Sequence, residues 1–389
     1  MSSDGIVIDL EHARRTKHET LLANAARSED ATALAFVAVH GQQHRYVAPW
    51  HRWLKWDGKR WIEDSTGHVF ALIRDLVRDV AGGTPRERKL ATAAYVAGVE
   101  RLARCDQSVV VMPRQLDADP WLLNTPAGIV DLRIGAIAPN EPAALMTRIT
   151  SVAPAFGGGA DLWARFLADI TQGDAELSAY LQRLAGYCAT GVTSEDVLPY
   201  FFGVGSNAKS SFAEALAAGL GDYALIFART HKTIVVGNHM PRLNAVTHAI
   251  GRRMQMVPFR AVFVTTPGDG MRERLNREAL EAVLAWVIAG TVQWRLHGTA
   301  PPESVRILTE KYLGGEDTFA QWLEDSCERD VSAFERSSEL HRNYKAWCNR
   351  NGNRPESNAV LSRYLVGIGF CKERTMVGRC FHGLRLKPA

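Results

Sequence analysis

The sequence lacks any apolar run approaching the length of a membrane span, and its polar, charged N-terminus has no signal-peptide core. These absences argue against a spanning helix and set the expectation of a cytoplasmic protein without a membrane partner. Cysteine is sparse and scattered: Cys105, Cys188, Cys327, Cys348, Cys371 and Cys380 include no Cys-x-x-Cys pair. That spacing favours reduced, incidental thiols over a zinc ribbon or a disulfide framework. Excess charge is also missing from the chain as a whole, at +4 over 389 residues. It is unevenly placed, however. Residues 331–389 hold 11 Lys/Arg against 4 Asp/Glu, a net of +7, so the first 330 residues carry −3. A basic terminal module on a slightly acidic body points to a polyanionic partner for that module; a solvated basic surface is the alternative.

What is present is a phosphate-binding pattern, Gly203-Val-Gly-Ser-Asn-Ala-Lys209-Ser210. The apolar run Val197–Phe202 before it reads as a buried strand, and the Ala-rich Ser211–Gly219 after it as a helix. Such a loop aims backbone N–H groups at phosphates, Lys209 adds a point charge, and the Ser210 hydroxyl is a candidate Mg²⁺ ligand. The pattern asks for glycine before the lysine and finds Ala208, whose methyl would crowd the approach of backbone to phosphate. The alternative is a Gly/Ser/Asn turn ahead of an ordinary helix.

Elsewhere, Arg52–Trp61 reads as a hairpin about Asp57-Gly58. Its aromatic and basic alternation could stack bases, but a sheet face packed on a core is favoured. Leu123–Gly135 reads as a second hairpin, and Gly157-Gly158-Gly159 as a linker. Residues 161–190 are helical, with Trp163, Phe166, Leu167 and Ile170 at core spacing.

From Trp53 to Leu386 these landmarks together resemble the helicase portion of phage and plasmid primase-helicases, the D5-like group of superfamily 3. The two hairpins resemble its N-terminal module. Gly203, Gly205, Ser206, Asn207, Lys209, Ser210 and Ser211 match its nucleotide loop, with Ala208 the departure. Val236–Pro241 resembles its sensor 1 segment, which implies that Asn238 contacts the attacking water or the γ-phosphate; a strand-end turn is the other reading of Asn238. Gly251–Phe259 resembles its arginine-finger segment, which implies that Arg253 reaches a neighbouring subunit's nucleotide; a surface Arg pair ahead of a strand is the alternative. Residues 318–386 resemble its winged-helix tail. There Ser357–Gly367 would be the recognition helix carrying Arg363, and Lys372, Arg374 and Arg379 would lie in the wing, on DNA phosphates.

The resemblance implies an α/β protein in three parts: an N-terminal α+β module over 1–155, a shortened ATPase core over 156–300 and, after a linker at 301–315, a winged helix over 316–389. It implies ATP and Mg²⁺ as cofactors, single-stranded and duplex DNA as partners, and a homo-oligomer such as a hexamer. Two departures stand out. Between Gly219 and Thr233 the only carboxylate is Asp222, where the family has its Walker B acidic pair, as if that segment were deleted. Mg²⁺ at Ser210 would then lack its carboxylate, and no base would position water. Hydrolysis is expected to be impaired, with Asp222 and Asp196 the candidate substitutes. Residues 1–45 also hold no primase domain, so primer synthesis is not expected. A non-hydrolysing nucleotide- and DNA-binding remnant, or an assembly or interference protein, is the second reading.

Overall fold

The computed structural model describes residues 28–80, 92–203, 207–224, 233–238, 240–241, 248–261, 270–316, 318–375 and 378–388. The fold is α/β. Among the described residues it begins with α1 (Glu29–His40), capped by the Ser28 hydroxyl, which accepts from the Ala31 N–H at 3.1 Å. Strands β1 (His44–Val47), β2 (Arg52–Trp56) and β3 (Trp61–Glu63) follow, then α2 (His68–Val80), α3 (Ala93–Ala103) and β4 (Val110–Val111). The sheet order is β3-β2-β1-β4, and β2 and β3 turn about Asp57-Gly58 as expected. Trp53 and Trp61 are buried, so this hairpin's aromatics serve the core. A meander of β5 (Leu122–Thr125), β6 (Gly128–Asp131) and β7 (Ala136–Ala138) comes next.

Helix α4 (Ala160–Thr171) buries the expected stripe of Trp163, Phe166, Leu167 and Ile170. It leads into α5 (Ala175–Ala189), capped by Asp174. The central parallel strand β8 (Leu198–Phe202) runs into α6 (Lys209–Leu220). Beside it lie β9 (Val235–Gly237) and, after the short α7 (His248–Arg253), β10 (Met254–Pro258), in the order β10-β8-β9. Among the described residues β9 lies beside β8 at one edge of this sheet, with Val236 exposed. Helices α8 (Met271–Glu278) and α9 (Leu280–His297) close this unit. The α5–α9 crossing is tight because both helices present glycine: a Cβ on Gly186 would lie 2.1 Å from the Thr291 nitrogen, and one on Gly290 would lie 2.1 Å from the Gln182 oxygen.

One boundary differs from the sequence reading. The linker expected at 301–315 is instead the helix α10 (Glu303–Glu316), with Val305 and Tyr312 buried. Its Thr309 hydroxyl accepts from the Met256 N–H of β10 at 2.9 Å, which ties the helix to the parallel sheet.

The C-terminal unit comprises α11 (Thr318–Ser326), β11 (Cys327–Arg336), α12 (Ser337–Arg350), α13 (Asn358–Gly367), β12 (Cys371–Thr375) and β13 (Gly378–Leu386). Its antiparallel sheet has the order β11-β13-β12. It has its own core, which includes Phe319, Trp322, Tyr344, Leu361, Leu365 and Phe381. A helix stands where Ser357–Gly367 was expected to form one, and a hairpin over Lys372–Arg379.

Candidate nucleotide cradle

The central strand β8 delivers the chain to Gly203 at the carboxyl end of the parallel sheet, where ligands of open α/β sheets bind. No side chain fits at Gly203. A Cβ there would stand 1.8 Å from Asn207 Nδ2 and 2.3 Å from the Phe259 oxygen. Asn207 Nδ2 donates to that Phe259 oxygen at 2.9 Å, and its Oδ1 accepts from Lys209 Nζ. Lys209 Nζ also donates to the Gly203 carbonyl at 2.8 Å. Asn207 and Lys209 are each only 3% exposed. Burial pushes the Lys209 pKa down, yet its two acceptors are neutral, and among the described residues no carboxylate is bonded to it. A buried ammonium held only by neutral oxygens is a ready partner for an anion.

Ala208 takes a left-handed backbone conformation, φ 58° and ψ 15°, at the N-cap of α6. The sequence reading placed the cost of this alanine in the approach of phosphate. The structure adds a cost in the backbone, because a Cβ in the left-handed region costs about 1–2 kcal/mol that glycine avoids. No side chain caps α6, so the N–H groups of its first turn, together with the positive end of the helix dipole, remain for an anion. Ser210 is exposed and Ser211 half-buried at this helix head. Gly205 and Ser206 lie outside the described residues.

Asn238 is exposed and follows Gly237, which is paired with Phe202. Its backbone is therefore at the same sheet end as Gly203, one strand spacing (about 4.8 Å) away. Arg253 is not at this end. It precedes β10, at the opposite end of the sheet, where its Nε lies 2.5 Å from Asp196 Oδ1 and Arg252 lies 2.7 Å from Asp196 Oδ2. Five residues of β8 separate the two ends, about 17 Å at strand rise. Arg253 therefore cannot serve its own chain's cradle.

Neither substitute carboxylate reaches Ser210, which corrects the expectation that Asp222 or Asp196 could stand in. Asp196 is held at the base of β8 by the two arginines, and the Arg253 hydrogen bond is the main cause of its lowered pKa. Asp222 lies past the far end of the 12-residue α6, about 18 Å from the helix head. There it pairs with Arg60 of the N-terminal hairpin turn and accepts from the Ile149 N–H at 3.2 Å. The adjacent Tyr223 hydroxyl accepts from the Asn124 N–H at 3.0 Å. Sequence reasoning missed this anchorage, since its partners are far apart along the chain. Within α6, Glu214 is paired with Arg272 of α8 at 2.6 Å. Among the described residues, no group of three or more His, Cys, Asp and Glu could hold a metal ion.

In the C-terminal unit, Arg363 is exposed on α13, and Arg374 and Arg379 are exposed on the β12–β13 hairpin. Lys372 is half-buried, its ammonium 5.3 Å from the centre of the Phe381 ring.

Residues 33–172 match the family model described as D5 N terminal like. This domain is found in phage and plasmid primase-helicase proteins, and the match points to a replication protein of that kind. It spans α1 to α4, including both sequence-predicted hairpins. No curated protein matches the chain. No helix of the described residues is long and apolar enough to cross a membrane.

Proposed function

We propose that this chain is a helicase-like replication protein of a mobile element that binds ATP at the head of α6 and binds DNA, with hydrolysis impaired. One observation carries the reading: Lys209 is buried near the end of a central parallel strand, bonded among the described residues to neutral oxygens only, beside a helix head without a side-chain cap. That arrangement suits a triphosphate. Lys209 and the first-turn N–H groups would hold its phosphates, and Asn238 lies where it could approach the γ-phosphate.

Mg²⁺ fits less well. The Ser210 hydroxyl is a suitable single ligand, but among the described residues Glu214 is paired with Arg272, while Asp222 and Asp196 are paired with arginines at the far end of α6 and at the opposite end of the sheet. Phosphoryl transfer depends on positioning a metal and a nucleophile, so binding without efficient turnover follows. Arg253 lies far from its own cradle, which leaves a role in trans, against the nucleotide of a neighbouring copy in a homo-oligomer such as a hexamer. The C-terminal unit, read as a winged helix, would place α13 and Arg363 against duplex DNA, with Lys372, Arg374 and Arg379 on phosphates.

The test is equilibrium ATP binding by the full chain and by Lys209→Ala. The wild type should bind and the variant should bind at least about tenfold more weakly, as expected when a charge-assisted contact is lost. Equal affinity would make the loop a structural turn. The same geometry favours a second use of the protein, as a non-hydrolysing partner that enters or obstructs assemblies of an intact helicase.

A further inference from the structure

The C-terminal unit carries positive charge that its own fold does not neutralise. Strands β12 and β13 pair so that Arg374 and Arg379 stand directly opposite one another. Like charges in directly opposed positions destabilise a sheet, so the pair is a cost unless something anionic offsets it. Beside it lies a cleft of about 330 Å³ lined by Arg336, Ser337, Asn358, Ser362, Lys372 and Arg379, with no acidic side chain in its walls. Of the neighbouring carboxylates, Glu339 pairs with Arg342, and Glu328 and Asp330 pair with Arg385; among the described residues Glu335 and Glu373 form no ion pair with the cleft's three cations.

The cleft is built rather than incidental. Ser337 and Ser362 are each 6% exposed and lie 3.3 Å apart, and the Ser337 hydroxyl donates to Asn358 Oδ1 at 2.9 Å. Helix α12 starts here with no side-chain cap, so the N–H groups of its first turn have no side-chain acceptor. Helix α13 begins on the same wall with Asn358 and Ala359. The α13 head is capped by the Ser357 hydroxyl, which accepts from the Val360 N–H, so it is chiefly the uncapped α12 head that adds its partial positive charge to three cations. The Phe381 ring beneath Lys372 holds that ammonium at the rim.

Resting on the nucleic-acid reading of this unit, the geometry points to a phosphate seat: one phosphate group of a DNA strand held by Arg336, Lys372 and Arg379 at the heads of α12 and α13. Arg363 lies outside the lining of this cleft, so the seat fixes register on the strand independently of any base contact by α13. An internal phosphodiester and a 5′-terminal phosphate share this chemistry.

The test uses the full chain, a short duplex and fluorescence anisotropy across a salt series. Arg336→Gln and Arg379→Gln should each weaken binding about tenfold at low salt and lower the log–log salt slope by about one. Arg306→Gln, an exposed charge on α10, should leave both unchanged. A duplex bearing 5′-phosphates that binds more tightly than its 5′-hydroxyl twin, with the advantage lost in Arg379→Gln, identifies a terminal phosphate. Equal binding of the two duplexes, with the effects of the variants intact, identifies an internal one. Wild-type affinity and slope in both cleft variants would overturn the seat while leaving DNA binding in place. Absence of DNA binding by the wild type would overturn both.

Discussion

Replacing Ala208 by glycine should stabilise this protein, whereas the same change one helix face away should destabilise it. Ala208 is held at φ 58° and ψ 15°, where a Cβ costs about 1–2 kcal/mol. Glycine removes that cost but frees the unfolded chain, which takes back about 0.4–1 kcal/mol. At an N-cap, glycine is no worse than alanine, so no helix-propensity loss is added. The net is a gain of somewhat under about 1 kcal/mol. Ala217 is exposed within α6, and Ala217→Gly carries the ordinary mid-helix penalty of about 1 kcal/mol. Urea unfolding of the three proteins, compared through midpoints at constant slope, reads the difference directly. Opposite signs are expected. If Ala208→Gly destabilises as Ala217→Gly does, Ala208 is not in the left-handed region, and the geometry of the cradle is wrong.

Three further outcomes follow from named contacts. Asp222→Asn should leave ATP affinity unchanged and lower stability by less than about 1 kcal/mol, because the Arg60–Asp222 pair is partly exposed and lies at the far end of α6; a loss of nucleotide binding would return Asp222 to the site. Arg253→Ala should leave ATP affinity of the isolated chain within about twofold, since 1.4 kcal/mol is tenfold and no direct contact is lost; calorimetric titration showing a large change would place the arginine in cis. Stability should fall on acidification through His40 and His44, which cluster with His68. The ring centres of His40 and His44 are 6.1 Å apart and those of His44 and His68 are 5.8 Å apart, and His44 Nε2 is buried without a partner. Burial lowers the pKa of both His40 and His44, so the unfolded state binds more protons, and stability present at neutral pH is lost below about pH 6.5. Thermal unfolding between about pH 7.5 and about pH 5, a range of about one to two units either side of the ordinary histidine value, should show a smaller acid loss in His44→Gln; an equal loss would remove the cluster from the account.

The strand and the helix around Gly203 and Lys209 were legible from apolar runs and turn residues. Gly203 tolerates no Cβ, and Lys209 is buried at the head of α6 with Ser210 beside it. The Trp163 stripe and the two hairpins were legible from periodicity and turn residues. The helix at Glu303–Glu316 was not, because Pro301-Pro302 ahead of it and Gly314-Gly315 within it look like linker punctuation. Proline is tolerated ahead of a helix, and burial of Val305 and Tyr312 overrides the glycines. The Arg60–Asp222 pair and the arginine clasp on Asp196 join residues 162 and about 57 positions apart, and no local pattern encodes such a contact. The position of Ala208 was legible as a departure, but the form of its cost required the backbone dihedrals.

The central claim is a nucleotide site that binds without efficient turnover. Steady-state ATP hydrolysis by the full chain, with and without single-stranded DNA and alongside ATP binding under the same conditions, tests it most directly. The account predicts measurable binding, and hydrolysis absent or far below the range of a competent phosphoryl-transfer enzyme, about 1–100 s⁻¹. DNA-stimulated turnover within that range would contradict it.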